Sequence, residues 1–248
     1  MTGQTAGEGG MSRVGLLRFG VAALILGLVG GMPGPARAFD APLGKRPFDI
    51  LINGVKVGHL SLTFVHQGKD LVVEDEIYIA PREFWHNLAD RALDVLRIGV
   101  GLDKQLSDRY VLRCREVWRD SALAEVTTNV DDYGQPVEVD LDATPSGLMV
   151  KGPAGQFPAP PGLVPSSLWN IEMTKAPAVL DLNSGRILHV NFTQGAPVPI
   201  PSGTEDIPAI HVTATGGLSR DLWYAGDILL REQYVDEKGQ LIEIRSAP

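Results

Sequence analysis

The chain has 248 residues, of which 44% are hydrophobic and 21% are charged, a balance typical of globular proteins that excludes wholesale disorder. Its formal net charge is −8 and would become −10 on loss of residues 1–38, which carry three basic residues and one acidic residue. Such an excess of negative charge argues against nucleic acids and anionic membrane surfaces as partners.

The N-terminus has the pattern of a secretory signal peptide. Two arginines precede an apolar run of nine residues at 21–29, and Ala36 and Ala38 occupy the small positions before a cleavage site. We therefore predict cleavage after Ala38, a mature chain that begins at Phe39, and a periplasmic or secreted location.

Two alternatives stay open at this end of the chain. The first ten residues are unlike a signal peptide, so the true start is either Met1 or Met11. An uncleaved N-terminal membrane anchor is the rival to cleavage. Nine apolar residues are, however, too few for a bilayer core, which needs about 20. We accordingly expect no stable membrane insertion of the mature chain.

Residues 39–248 are predicted to form a single β-rich domain, since 210 residues are enough for one hydrophobic core. Because Cys114 is the only cysteine, the domain has no internal disulfide to stabilise it. Because Cys114 lies in a sequence typical of a strand, we expect it to be a small buried side chain rather than a reactive thiol.

The first elements predict an antiparallel meander. Hydrophobic residues alternate on both sides of Asn53-Gly54, the dipeptide that best suits a two-residue type I′ turn. Gly58 interrupts the second of these runs and indicates a bulge. A turn at residues 67–70 then leads into a third strand, "LVVEDEIYIA".

One segment departs from the strand pattern. Pro81 suits the first position of a helix, and apolar residues follow it at spacings of four. A short amphipathic helix is therefore predicted over about 82–93. A helix among strands usually covers a sheet face or closes the end of a barrel.

A gap-free internal repeat relates residues 116–139 to residues 221–244. Six of the 24 aligned positions are identical, and in both copies an acid stands two residues before a tryptophan. Each copy predicts three strands joined by turns, one of which has the form D-x-x-G. We expect the copies to occupy corresponding places in one curved sheet or barrel; the alternative is two unrelated hairpins with similar turns.

The candidate ligand site follows from strand alternation. Glu116 and Trp118 share one face of a strand, as do Asp221 and Trp223 in the second copy. An acid beside a tryptophan on an inward face is unusual unless the acid is paired or lines a wet cavity. These residues are either platforms that hold an amphipathic ligand in a barrel mouth, or the ends of a core with the acids in salt bridges.

A proline-rich stretch, residues 152–170, lies between the two copies. Prolines cannot donate to a sheet ladder, so this stretch is predicted to cross the sheet without joining it as a central strand. Trp169 and Asn170, at its end, belong to the candidate ligand-binding residues, and Trp169 is predicted to be buried against the sheet. The stretch is either a lid over a cavity or a strap that closes the barrel.

The sequence contains no catalytic motif of high specificity, such as G-x-S-x-G, H-E-x-x-H, C-x-x-C or a glycine-rich phosphate loop, so catalytic residues stay unassigned. No metal site and no cofactor is predicted, because the five histidines do not fall at ligand spacing. A two-histidine site at His189 and His211 is the alternative to two ordinary sheet histidines.

Several segments together resemble a family of secreted bacterial proteins catalogued only as a domain of unknown function. They include "FDILINGVKVG", "REVWRD", "PSSLWN" and "DLWYAGD", and the resemblance covers about residues 46–246. The family is similar to other periplasmic antiparallel sheets, including half-barrels of the lipoprotein-carrier type that wrap a hydrophobic ligand around a helix. The resemblance implies no established activity and no catalytic residues.

The sequence therefore predicts an all-β fold of ten or more antiparallel strands, in a curved sheet or half-open β-barrel with one or two short helices. The leading functional hypothesis is an exported, non-enzymatic protein that binds or carries a lipid-like hydrophobic or amphipathic small molecule in the barrel. The alternatives are a hydrolase or isomerase built on carboxylates and a histidine, and a cell-envelope assembly factor whose protein partner the sequence does not identify.

Overall fold

A computed structural model describes residue 41 and residues 43–80, 109–202 and 205–247. The predicted helix over about 82–93 lies outside the described residues, as do the signal peptide and its cleavage site after Ala38. Within the described ranges, no helix is long and apolar enough to cross a bilayer.

Nearly all of the described chain is extended. The strands are β1 (Gly44–Ile52), β2 (Val55–Gln67), β3 (Asp70–Ile79), β4 (Tyr110–Arg119), β5 (Ala122–Asp132), β6 (Gln135–Thr144), β7 (Gly147–Gly152), β8 (Gly155–Pro158), β9 (Val164–Pro165), β10 (Ala178–Leu180), β11 (Ile187–Ser202), β12 (Glu205–Gly216), β13 (Arg220–Ala225), β14 (Ile228–Val235) and β15 (Leu241–Ser246). One short 3-10 helix, Ile171–Lys175, lies between β9 and β10.

These strands form one open sheet in the order β8-β7-β6-β5-β4-β3-β2-β1-β15-β14-β13-β12-β11-β10-β9. The first and last strands of the sequence, β1 and β15, pair in the middle, and the chain steps outward from them on both sides. Neighbours are antiparallel except for β9 and β10, which are parallel. The predicted all-β class and curved antiparallel sheet are therefore confirmed, with β8 and β9 as its two edges.

The first three strands form the predicted meander. Asn53 and Gly54 have φ angles of 49° and 82°, and both must be positive in a type I′ turn. The register between β1 and β2 shifts beside Gly58, which confirms the predicted bulge. A Cβ atom at Gly58 would meet the carbonyl oxygen of Tyr78 at 2.0 Å, so only glycine fits this close approach of two strands.

The hydrophobic core lies on one face of the sheet, called the inner face below. Phe48 and Phe64 on the first hairpin and Leu222 on β13 are almost completely buried there. Cys114 is also buried on this face, and its sulfur accepts a hydrogen bond of 3.3 Å from the hydroxyl of Thr128. The predicted buried side chain is therefore confirmed, and its burial raises the pKa of the Cys114 thiol well above its ordinary value.

The proline-rich stretch connects the two edges of the sheet. It begins in β7, forms the edge strand β8, and reaches β9 at the opposite edge. Residues 159–177, called the strap below, cross the inner face between β8 and β10. Ser166 and Ser167 form a turn, and Trp169 beyond them is fully buried. Both the crossing and the burial of Trp169 are confirmed, and the stretch contributes only edge strands to the sheet.

The two copies of the sequence repeat form β4–β5–β6 and β13–β14–β15, each a three-stranded antiparallel unit. The aligned tryptophans nevertheless face opposite sides: Trp118 is buried on the inner face, and Trp223 lies on the outer face. The register between β4 and β5 shifts between Val117 and Trp118. The register between β13 and β14 shifts one aligned position later, between Trp223 and Tyr224. Because a shift of one residue exchanges the faces, Tyr224 occupies the place in the core that corresponds to Trp118.

Candidate functional site

The carboxylate of Glu116 attaches the strap to the inner face of the sheet. Its Oε2 accepts hydrogen bonds from the indole N–H of Trp118 at 2.8 Å and of Trp169 at 3.0 Å. Its Oε1 accepts a hydrogen bond of 2.6 Å from the hydroxyl of Ser167. Glu116 has no exposed surface. Burial raises the pKa of Glu116, and the three hydrogen bonds oppose that rise.

Aromatic contacts reinforce this attachment. The Trp169 ring meets the Phe64 ring edge-on, with centroids 5.2 Å apart, and meets the Trp118 ring at 5.9 Å and 89°. Edge-to-face pairs of this kind stabilise by about 0.5–1.5 kcal/mol beyond the area they bury. The strap is therefore part of the core rather than a loop lying over it.

The second half of the sheet holds the strap mainly through its backbone. The Tyr224 hydroxyl donates to the carbonyl of Leu168 at 2.9 Å, and the N–H of Leu229 donates to the carbonyl of Trp169 at 2.9 Å. Asn170 is buried and caps the 3-10 helix, since its Oδ1 accepts from the N–H of Glu172 at 2.9 Å. The strap is thus bound on one side by the unit β4–β5–β6 and on the other by the unit β13–β14–β15, the two copies of the repeat.

Asp221 and Trp223 lie on the outer face, opposite Glu116. The Asp221 carboxylate contacts Nε2 of His211 at 2.8 Å, and the His211 ring stacks on Trp223 with centroids 4.8 Å apart. The guanidinium of Arg231 also lies 5.0 Å from the centre of the Trp223 ring. The six candidate residues therefore do not meet in one place: four lie around the strap, and two lie in this outer cluster.

A cavity of about 620 Å³ lies on the inner face beside the strap. Ser166 and Ser167 of the strap form part of its wall. Most of the remaining wall is aliphatic and includes Ile50, Leu60, Leu62, Ile77, Leu112 and Ile244. Sequence alternation identifies such residues as inward-facing, but it does not reveal which part of the interior the strap leaves unfilled.

The two D-x-x-G turns of the repeat border the same cavity. Asp132 and Tyr133 come from the first turn, and Asp236 and Glu237 come from the second. Asp132 and Glu237 are exposed, so these turns mark the end at which the cavity meets solvent. The repeat therefore supplies both the attachment of the strap and the rim of the cavity.

Ionisable groups also lie deep in the cavity. Arg220 forms an ion pair with Glu232, which is 3% exposed, and the guanidinium lies 5.0 Å from the centre of the Tyr234 ring. Asp75 is 5% exposed, and its Oδ1 has no hydrogen-bond partner among the described residues. Burial, with a contribution from Glu116 and Glu232, raises the pKa of Asp75 well above its ordinary value.

A second cavity of about 640 Å³ lies where the strap leaves β8. Its wall is rich in proline and small residues, and its two charged side chains, Glu172 and Lys175, pair with each other at 2.6 Å. Neither is buried. The cavity that contains Asp75 is therefore the better candidate site, because it combines aliphatic walls with buried polar groups.

Fold and cavity together define an all-β protein in which a strap crosses the inner face of one open antiparallel sheet. Residues 106–247 match the family described as Domain of unknown function (DUF6134), and the chain belongs to this family, as its resemblance implied. No curated protein matches the chain. A solved structure similar to it is the beta-barrel-like protein of domain of unknown function DUF1849 from Brucella abortus. The two are 8% identical, and the match covers 82% of this chain and 94% of that one with a TM-score of 0.48.

Replacement of Trp169 tests the attachment of the strap. Trp169→Phe keeps an aromatic ring but removes one hydrogen bond to a buried carboxylate, so the free energy of unfolding should fall by about 1–3 kcal/mol in urea denaturation. Trp223→Phe on the outer face is the matched control and should change it by less than about 0.5 kcal/mol. Equal losses in the two variants would contradict the role given to Glu116.

The raised pKa of Asp75 makes stability depend on pH. Because the folded state holds this proton more tightly than the unfolded chain does, the free energy of unfolding should fall as the pH rises above the ordinary value of 3.8. Asp75→Asn removes this contribution. We expect the free energy of unfolding of the variant to match that of the wild type near pH 4. Near pH 7.5 it should exceed the wild-type value by about 1 kcal/mol or more. A difference that stays constant between these two pH values in urea denaturation would refute the prediction.

Proposed function

We propose that the protein is an exported, non-enzymatic binder of a hydrophobic or amphipathic small molecule, which occupies the cavity beside the strap. The observation that carries this proposal is the cavity itself. Its volume of about 620 Å³ falls within the range of about 300–1,000 Å³ that is usual for small-molecule sites. Half of the residues in its wall are aliphatic, and the others carry polar groups that can orient a ligand.

The strap supports this proposal because it fixes the shape of the cavity. Ser167 lines the cavity and donates to Glu116, so one side chain joins the wall to the buried attachment. The opposite walls belong to paired strands of a continuous sheet. A cavity with such fixed walls binds a ligand without a large loss of conformational entropy in the protein.

The two alternative functions receive less support from the same geometry. A hydrolase or isomerase built on Glu116, Asp221 and a histidine requires these groups in one pocket. Glu116 is buried on the inner face, whereas Asp221 and His211 lie on the outer face. An assembly factor that offers a sheet edge requires a long open edge strand. The edge strands β8 and β9 have four and two residues, and each contains a proline.

Filling the cavity tests the proposal. Ile77→Trp places an indole in the cavity, and Tyr78→Trp places the same side chain on the outer face of the same strand. With N-phenyl-1-naphthylamine, a neutral hydrophobic probe, we expect a rise in fluorescence on binding to the wild type. Affinity should fall about tenfold or more in Ile77→Trp and stay unchanged in Tyr78→Trp, a difference of about 1.4 kcal/mol or more.

Two results would overturn the proposal. One is the absence of saturable probe binding to the wild-type protein. The other is an equal affinity in Ile77→Trp and Tyr78→Trp, since the probe would then bind elsewhere. Thermal unfolding of both variants provides the control that each one is folded.

Export is the part of the proposal that rests on the sequence of residues 1–38. When the full chain is expressed in a bacterial host, N-terminal sequencing of the periplasmic product should begin at Phe39. Ala38→Leu places a large side chain at the cleavage position and should yield an uncleaved chain in the membrane fraction. An uncleaved wild-type chain in the membrane fraction would instead support the N-terminal anchor.

A further inference from the structure

Among the described residues that line the cavity, Asp75 is the one with a buried oxygen that lacks a hydrogen-bond partner. It lies on the inner face of β3, in alternation with Val73 and Ile77, and it lines the cavity. Asp75 is 5% exposed, and its Oδ1 has no hydrogen-bond partner among the described residues. A buried carboxyl oxygen without a partner is unfavourable, so a donor brought by a ligand would be stabilised there.

The charges around the cavity indicate which donor fits. Among the described residues, its lining contains five acids and a single base, Arg220. Arg220 is already paired with Glu232 and lies over the Tyr234 ring. A carboxylate or phosphate headgroup would therefore meet no uncommitted cation in this lining, whereas a positively charged headgroup would meet acids at the rim and Asp75 inside. The acids are Asp75, Asp132, Glu232, Asp236 and Glu237.

We propose that the ligand is a cationic amphiphile, an apolar chain or ring system with a protonated amine, whose ammonium group binds the Asp75 carboxyl while its apolar part contacts the aliphatic wall. This inference rests on the proposed function, because it specifies the ligand class of the same cavity. The acids of the two repeat turns attract the cation at the rim, and Asp75 holds it inside.

An amine can bind Asp75 in its charged form, whereas a neutral donor leaves that charge uncompensated. Burial and the carboxyl groups of Glu116 and Glu232 raise the pKa of Asp75, which means that a negative charge at this position is unfavourable in the empty cavity. An ammonium group compensates that charge. A hydroxyl group supplies the hydrogen bond alone, so it should bind more weakly than an amine on the same chain.

Three ligands with the same chain and different headgroups test the inference: dodecylamine, 1-dodecanol and dodecanoate. Each is titrated against N-phenyl-1-naphthylamine bound to the wild-type protein near pH 7.5, below its aggregation concentration. We expect dodecylamine to displace the probe at about tenfold lower concentration than the alcohol, and dodecanoate to be the weakest of the three.

Two variants, each of which removes one negative charge, test whether Asp75 causes the preference for dodecylamine over 1-dodecanol. Asp75→Asn should reduce the affinity for dodecylamine to that for 1-dodecanol and leave the affinity for the alcohol unchanged. Glu74→Gln, the neighbouring acid on the outer face of β3, should keep the wild-type preference. The melting temperature of each variant shows that it is folded.

The possible outcomes distinguish a failure of the cationic-ligand inference from a failure of the proposed small-molecule binding. Equal affinities for the three headgroups, or an equal effect of Asp75→Asn and Glu74→Gln, overturns the cationic ligand and leaves a cavity that binds apolar molecules. Failure of every ligand and of the probe to bind the wild type overturns the proposed function, and the inference falls with it.

Discussion

The hydrogen bonds of Glu116 are the constraint on which the interior of this protein depends. A buried carboxylate is unfavourable unless donors compensate it, and here two indole groups and one hydroxyl do so. Two of these donors, Ser167 and Trp169, belong to the strap. The acid is therefore fully satisfied only when the strap lies across the inner face, and departure of the strap is unfavourable because it would leave that buried acid with Trp118 as its remaining donor.

The cavity follows from this arrangement. An open sheet of fifteen strands cannot fill its concave side with its own side chains alone, and the strap occupies only part of the space. In the part of the chain that the structure describes, the remainder is a compartment with aliphatic residues in its wall, acids at its rim and one carboxyl, Asp75, whose Oδ1 lacks a partner. The same fold thus yields a rigid, paired acid at Glu116 and an unpaired acid at Asp75, and the difference in partners separates a structural role from a proposed binding role.

Local chemistry made much of the fold predictable. The Asn53-Gly54 turn, the bulge at Gly58 and the proline content of the crossing each have a direct backbone cause that can be read from sequence. The site was harder to predict, because it depends on which face each residue takes. The gap-free repeat aligned Trp118 with Trp223, but in the structure β13 is displaced by one residue relative to that alignment, so Trp223 faces outward and Tyr224 pairs as Trp118 does. Asp75 was easy to overlook because it is one acid in the run Glu74-Asp75-Glu76, although alternation with Val73 and Ile77 places it alone on the apolar face of β3, where it is buried.

The most direct test of this account is a crystal structure of the protein with dodecylamine. The account predicts the alkyl chain between the strap and the wall that contains Ile77 and Leu112, with its nitrogen within hydrogen-bonding distance of the Asp75 carboxyl and the strap still bound to Glu116. An amine bound on the outer face, or an alkyl chain in the cavity with its nitrogen directed away from Asp75 into solvent, would contradict it.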